Sequence, residues 1–173
     1  MRAFIAIDIP EEMQEKIREI QGGLREFVTG SFQKGNFHLT LKFLGEVKEA
    51  KKAIRAMESL KDTKKFTIHF SCLGAFPNER YIRVIWIGVS KGSRELEEIS
   101  RSLNESLGQE EGYVPHLTIA RVREVSDKGK LLEYLEKPVD LGEFQADKVH
   151  LYKSELSPQG AIHTKIHTLD LPD

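Results

Sequence analysis

The sequence predicts a duplicated fold of the layered α/β or α+β class, and three observations predict it. Two ten-residue stretches, His38-Leu-Thr-Leu-Lys-Phe-Leu-Gly-Glu-Val47 and His116-Leu-Thr-Ile-Ala-Arg-Val-Arg-Glu-Val125, carry His, Leu, Thr, Glu and Val at the same places. Strand-like and helix-like runs follow the same order in both halves: strand, helix, His-strand, helix, strand, with one further strand at the end. The length of 173 residues suits a single bilobal domain, 1–173, with approximate repeats at 1–76 and 80–170. A duplicated unit packs about a pseudo-two-fold axis, which would bring the two His-strands together.

Each element has its own signal. Residues 2–8, Arg-Ala-Phe-Ile-Ala-Ile-Asp, read as a strand covered on both faces. Pro10 opens a helix whose Met13, Ile17, Ile20, Leu24 and Phe27 form one stripe, with Glu11 and Glu12 in its first turn. A polar loop is expected up to Gly35-Asn36. From Phe37 to Leu44, His38, Thr40 and Lys42 alternate with Leu39, Leu41 and Phe43, the period of a half-buried strand. Lys48 to Leu60 reads as a helix, Phe66 to Leu73 as a strand, and Gly74-Ala-Phe-Pro-Asn78 as a turn. Tyr81 to Val89 is a strand rich in β-branched and aromatic residues, and Ser93 to Leu107 a helix that Gly108 caps. Tyr113 to Arg123 holds the second His-Leu-Thr. Ser126-Asp127 caps a short helix that Pro138 stops, and strands at 147–155 and 161–169 flank a Ser-Pro-Gln-Gly turn.

Composition narrows the partners. Lysine plus arginine (26) balance aspartate plus glutamate (27), which excludes a long nucleic acid held by general basicity and leaves a local basic groove. A single cysteine, Cys72, excludes an internal disulfide framework. No apolar run reaches the roughly 20 residues of a membrane span, and the N-terminus lacks signal-peptide character, so a cytoplasmic protein with no membrane partner is expected.

On a strand, residues i and i+2 share a face, so each copy projects an imidazole together with a hydroxyl: His38 with Thr40, His116 with Thr118. Two imidazoles on opposite sides of one atom suit in-line displacement at phosphorus, one taking a proton from the attacking oxygen and the other protonating the leaving oxygen. Threonine hydroxyls donate to non-bridging oxygens, and an arginine fork matches them. Arg121 is the candidate. Its parity from His116 is odd, so a bulge or strand end must re-aim it. A lone His-x-Thr is an ordinary feature of a solvated sheet face, but a solvated face has no reason to keep the same pair twice. No metal site is expected, because two histidines fall short of the usual three or four ligands. His69, His150, His163 and His167 sit in expected strands as surface or core residues, with His163 the exception beside the turn at Gly160. Phe76, Tyr81 and Trp86 could stack a base. Trp86, set in Val-Ile-Trp-Ile-Gly-Val, is expected in the core.

Together these residues resemble the two-histidine (2H) phosphoesterases, specifically the RNA 2′,3′-cyclic phosphodiesterases also known as 2′-5′ RNA ligases. The marks are the opening Arg2-Ala-Phe-Ile-Ala-Ile, Phe37-His-Leu-Thr-Leu-Lys-Phe-Leu-Gly45, Arg83-Val-Ile-Trp-Ile-Gly-Val89, Pro115-His-Leu-Thr-Ile-Ala-Arg121 and Leu151-Tyr-Lys-Ser-Glu-Leu156. The resemblance implies an α+β bilobal fold, two antiparallel sheets lining a central groove with helices outside. It implies metal-independent, cofactor-free opening of a terminal 2′,3′-cyclic phosphate to a 2′-phosphate, with reversible 2′-5′ ligation in some members. It assigns His116 to activate water, His38 to protonate the departing 3′-oxygen, and Thr40, Thr118 and Arg121 to hold the phosphate. The repeat itself leaves the two histidines equivalent. Lys42, Phe76 and His163 are further candidate substrate contacts. Where the family often has Gly-Ala-x-Tyr, this chain has Gly160-Ala-Ile-His163. The expected partner is an RNA end, met by a monomer. The rival readings are a binding module for RNA ends without turnover and an enzyme for small cyclic nucleotide phosphates.

Overall fold

The computed structural model describes residues 1–108 and 112–173. In order the elements are β1 (Arg2–Asp8), α1 (Glu11–Leu24), β2 (Val28–Phe32), β3 (His38–Glu46), α2 (Lys51–Met57, prolonged by a 3-10 turn, Glu58–Leu60), β4 (Phe66–Asn78), β5 (Tyr81–Lys91), α3 (Ser93–Leu107), β6 (His116–Val125), α4 (Lys128–Glu136), β7 (Glu143–Ala146), β8 (Lys148–Ser157) and β9 (Gly160–Asp170). They form two antiparallel sheets, ordered β3-β1-β8-β9 and β2-β6-β5-β4-β7. The class is the expected α+β. β3 lies beside β1 in one sheet as β6 lies beside β5 in the other, and β3 and β6 approach each other where the sheets meet.

The residues dictate which face of each strand is dry. In β1, Ala3, Ile5 and Ile7 enter the main core with Leu39 and Leu41 of β3 and Val149 and Leu151 of β8. Phe4 and Ala6 turn the other way and form a small separate cluster with Tyr152. β1 is therefore covered on both faces, as its apolar run predicts, and ends in Asp8 on the groove side. The second sheet buries Ile85, Ile87, Leu117 and Ile119 in the same core. α2 and α3 pack together, α3 against β3 and β5, α4 against β4 and α1 against β6. α1 starts after Pro10 with Glu11 and Glu12 in its first turn, Gly108 caps α3 by donating to the Asn104 carbonyl, and Asp127 caps α4 by accepting from the Lys130 amide.

Several expectations are corrected. The segment read as a polar loop contains β2, a five-residue edge strand whose Gly30 lies so close to β6 that a Cβ there would sit 2.0 Å from the Arg121 carbonyl oxygen. The stretch at 74–78 is no turn, because β4 runs on to Asn78. Gly74 serves close packing: a Cβ on it would lie 2.2 Å from the indole of Trp86. The second His-strand starts at His116 and not Tyr113, since Pro115 has no N–H for the ladder. β7 gave no signal, being four residues long and paired with β4.

Candidate active site

Both His-strands carry a bulge at the same place. In β6 the partners of Ile85 and Trp86 are Ala120 and Thr118, so Ile119 is skipped. Ile119 and Ala120 are both buried, and Arg121 emerges exposed on the face of His116 and Thr118. This is the re-aiming that the odd parity of Arg121 requires. The carbonyl of Ile119 accepts from the side-chain amide of the buried Gln21 at 2.9 Å and from the main-chain N–H of Gln33 at 3.1 Å, so the bulge is bonded from α1 and from the residue that follows β2.

In β3 the partners of Ile5 and Ala6 are Lys42 and Thr40, so Leu41 is skipped. The consequence is opposite in kind. Lys42 is carried off the face of His38 and buried to 5% exposure, where its ammonium donates to Asn104 Oδ1 at 2.7 Å and to the Gly108 carbonyl at 3.0 Å, at the negative end of α3. Lys42 is thus not placed as a substrate contact, and Phe43, 64% exposed, takes the position that Arg121 has in the other copy.

The two imidazoles are anchored through the same nitrogen by different acceptors. His38 Nδ1 lies 3.1 Å from Asp8 Oδ1, and His116 Nδ1 lies 2.6 Å from the Val114 carbonyl. Neither acceptor can donate, so both rings carry their hydrogen on Nδ1 and leave Nε2 for the groove. Tyr113 links the walls, its hydroxyl donating to the Thr40 carbonyl at 3.1 Å. Thr40 and Thr118 are half-buried beside their histidines.

Around His38 the wall is charged. Asp8 also accepts a short hydrogen bond from the Tyr152 hydroxyl, and its second oxygen is 2.7 Å from Lys165 Nζ and 3.4 Å from His150 Nε2. Burial alone would raise the Asp8 carboxyl, but bonds from His38, Lys165 and Tyr152 together hold it well below the usual carboxylate range. Tyr152 is pushed up, first by burial and then by Asp8. His150, bonded through Nδ1 to Thr168 Oγ1 at 2.9 Å, is pushed down chiefly by burial. The His38 ring packs on Tyr152 at 4.5 Å and edge-on to His163 at 5.6 Å. His163 touches Phe4 as well, 4.9 Å between centroids, and burial followed by the charge of His38 lowers its pKa. His163 therefore does belong to the groove.

The side chains that pack against the His116 ring are aromatic. Phe76 meets the imidazole edge-on at 5.0 Å, and Trp86 lies 6.3 Å from it and 5.0 Å from Phe76. Trp86 is thus not in the core. It is half-buried on the groove face over Gly74 and Gly88, at both of which a Cβ would lie within 2.9 Å of its ring.

Sequence reasoning missed Asp8, Tyr152, His150 and Lys165. Asp8 had a usable signal: a carboxylate ending a strand read as covered on both faces needs a partner. The other three come from the last two strands and reach Asp8 only through the fold.

A family model described as the 2′-5′ RNA ligase superfamily matches residues 9–158. A Methanocaldococcus jannaschii protein named RNA 2′,3′-cyclic phosphodiesterase is 43% identical over 175 residues, covering 96% of this chain and 98% of that protein. A Methanothermobacter thermautotrophicus protein of the same name is 35% identical, covering 99% of each. Among solved structures, E. coli LigT in its apo form superposes with a TM-score of 0.79 at 25% identity over 99% of this chain and 98% of that one. It has also been solved with 3′-AMP, at a TM-score of 0.77.

Proposed function

Because the chain belongs to the 2′-5′ RNA ligase superfamily, we propose that it is an RNA 2′,3′-cyclic phosphodiesterase working by paired histidine acid–base catalysis. The observation that carries this reading is the pair of Nδ1-anchored imidazoles on adjoining strands of two sheets, each with a threonine on the same face. Water attacks phosphorus while His116 Nε2 takes its proton. The bond from phosphorus to the 3′-oxygen breaks, and that oxygen takes a proton from His38 Nε2, leaving a 2′-phosphate. Thr40, Thr118 and Arg121 hold the non-bridging oxygens.

The anchors support this division of labour. A carboxylate partner stabilises an imidazolium by charge, which suits the acid, whereas a neutral carbonyl fixes the tautomer of a base without favouring its proton. Phe76 packs beside the base and His163 beside the acid, as groups that bound the bound end. Both histidines come from one chain, so the reaction needs only a monomer. With a 5′-hydroxyl end in place of water, the same step joins ends through a 2′-5′ linkage: the 5′-oxygen attacks phosphorus and loses its proton to His116, and the 3′-oxygen leaves with a proton from His38.

An oligonucleotide ending in a 2′,3′-cyclic phosphate, incubated with the protein in EDTA and followed by phosphorus NMR, tests the proposal. The expected product is the 2′-phosphate. An unchanged cyclic phosphate despite measurable binding would replace the enzyme with a binding module.

A further inference from the structure

Beyond Arg121 the second sheet carries a basic and aromatic patch that the acid–base chemistry leaves unused. Val84 pairs with Arg121 on one side and with Phe76 on the other, and the ladder between β4 and β5 skips Arg83, a bulge that sets it next to Val84. Arg83 and Arg121 are exposed, and Tyr81 is 55% exposed. The Arg83 guanidinium lies 4.4 Å over the centre of the Tyr81 ring and donates to the Tyr81 hydroxyl. Held flat in this way, it keeps one face open to a base and one edge open to a phosphate. Among the described residues no carboxylate pairs with Arg83 or Arg121, whereas Lys165 on the opposite wall is engaged by Asp8. The tip from 76 to 84 carries Arg80 and Arg83 against one acidic residue, Glu79.

We propose that Arg83 and Tyr81 form a subsite for the nucleotide preceding the terminal one, so that the substrate class is an RNA strand of two or more nucleotides and not a lone cyclic nucleotide. The inference rests on the phosphodiesterase reading above. Neighbouring strands lie about 4.8 Å apart, so Arg83 stands one strand away from the arginine assigned to the terminal phosphate. Tyr81 is three residues beyond Val84, roughly 10 Å along β5, which leaves room for one further sugar and base. Stacking on an aromatic face tolerates every base, so the subsite selects for a strand without selecting its sequence.

The test compares kcat/KM for a dinucleotide and a mononucleoside, each ending in a 2′,3′-cyclic phosphate, in the wild type, Arg83→Ala and Tyr81→Ala. Both residues are exposed, so the variants are expected to fold. The wild type should prefer the dinucleotide by roughly 10-fold, the size of one stacked base with one phosphate contact, and each variant should lose most of that preference. Equal activity of the wild type on both substrates, or an equal fall on both in the variants, would overturn the subsite while leaving the hydrolase intact. A second readout does not need turnover. Affinity for a dinucleotide ending in a 2′-phosphate, measured at several salt concentrations, should lose about one unit of log–log salt slope in Arg83→Ala, and an unchanged slope also overturns the proposal.

Discussion

The two walls of the groove present the same pair of residues, His38 with Thr40 and His116 with Thr118, and differ in nearly everything behind them. His38 leans on a carboxylate that is itself tied to Tyr152, Lys165 and His150. His116 leans on the main-chain carbonyl two residues back and is walled by Phe76 and Trp86. The internal repeat presents the same imidazole twice, and the surrounding strands give one ring a carboxylate partner and the other a main-chain carbonyl among aromatic rings, an asymmetry that under the proposed mechanism separates acid from base.

The largest effects come from removing the imidazoles themselves. His38→Ala and His116→Ala should each lower kcat by about 10²-fold or more in a protein that still melts cooperatively, since one positioned acid or base supplies roughly 10²- to 10⁴-fold. Near-normal turnover in either variant would end the acid–base assignment.

Asp8→Asn removes what distinguishes the walls. An amide can keep one acceptor for His38 but points its NH₂ at the Lys165 ammonium, which has no acceptor to offer, and it carries no charge to stabilise the His38 imidazolium. A fall in kcat of roughly 10- to 100-fold with KM little changed is expected, together with a shift of the limb of the pH profile that reports the acid. The same variant has a signature in stability. The native Asp8 carboxyl titrates far below its unfolded value of 3.8, so its contribution is complete above that pH and is lost as pH falls below it. His150 and His163 have lowered native pKa values, so the unfolded chain gains protons first, and stability begins to fall as pH drops through about 6.5. Urea titrations at a series of pH values should show wild type losing stability in these two stages, and Asp8→Asn should diminish the lower one, to which Asp140 and Asp173 also contribute.

The comparison also explains which parts of the site could be read from sequence. The two histidines, the two threonines and the strands that carry them were legible because local period and the internal repeat agree. Lys42 misled because His38-Leu-Thr-Leu-Lys is a faultless alternation that conceals the bulge at Leu41. The second copy reveals it, for Ile119-Ala120 puts two apolar residues in succession just where Arg121 needs re-aiming. Carried back to the first copy, that bulge moves Lys42 to the core face. The Asp8 network was illegible for a different reason: its members come from β1, β8 and β9, and no local pattern records that the last two strands pair beside the first.

A smaller effect probes the bulge of the second wall. Gln21 is 4% exposed and its amide bridges the Ile119 and Gln33 carbonyls, both at 2.9 Å. Gln21→Leu keeps the apolar packing of α1 but removes both donors, at a cost of about 1–3 kcal/mol in stability. If the bulge aims Arg121 at phosphate, KM should rise several-fold while the pH profile stays that of the wild type. An unchanged KM at the expected loss of stability would mean that the ladder with β5 holds the bulge without help.

The smallest catalytic effect belongs to Lys42, and its smallness is the point. Its ammonium is buried and closes the C-terminal end of α3 through Asn104 and Gly108, so the charge serves the fold. Lys42→Met keeps the stem and deletes the charge. Losing charge-assisted hydrogen bonds at a helix end should cost roughly 1–3 kcal/mol in urea unfolding. At a temperature where the variant is fully folded, kcat and KM should match the wild type within about twofold, because Phe43, and not Lys42, stands on the groove face opposite Arg121. A selective rise in KM would return Lys42 to the substrate and require the first wall to open its bulge when RNA binds.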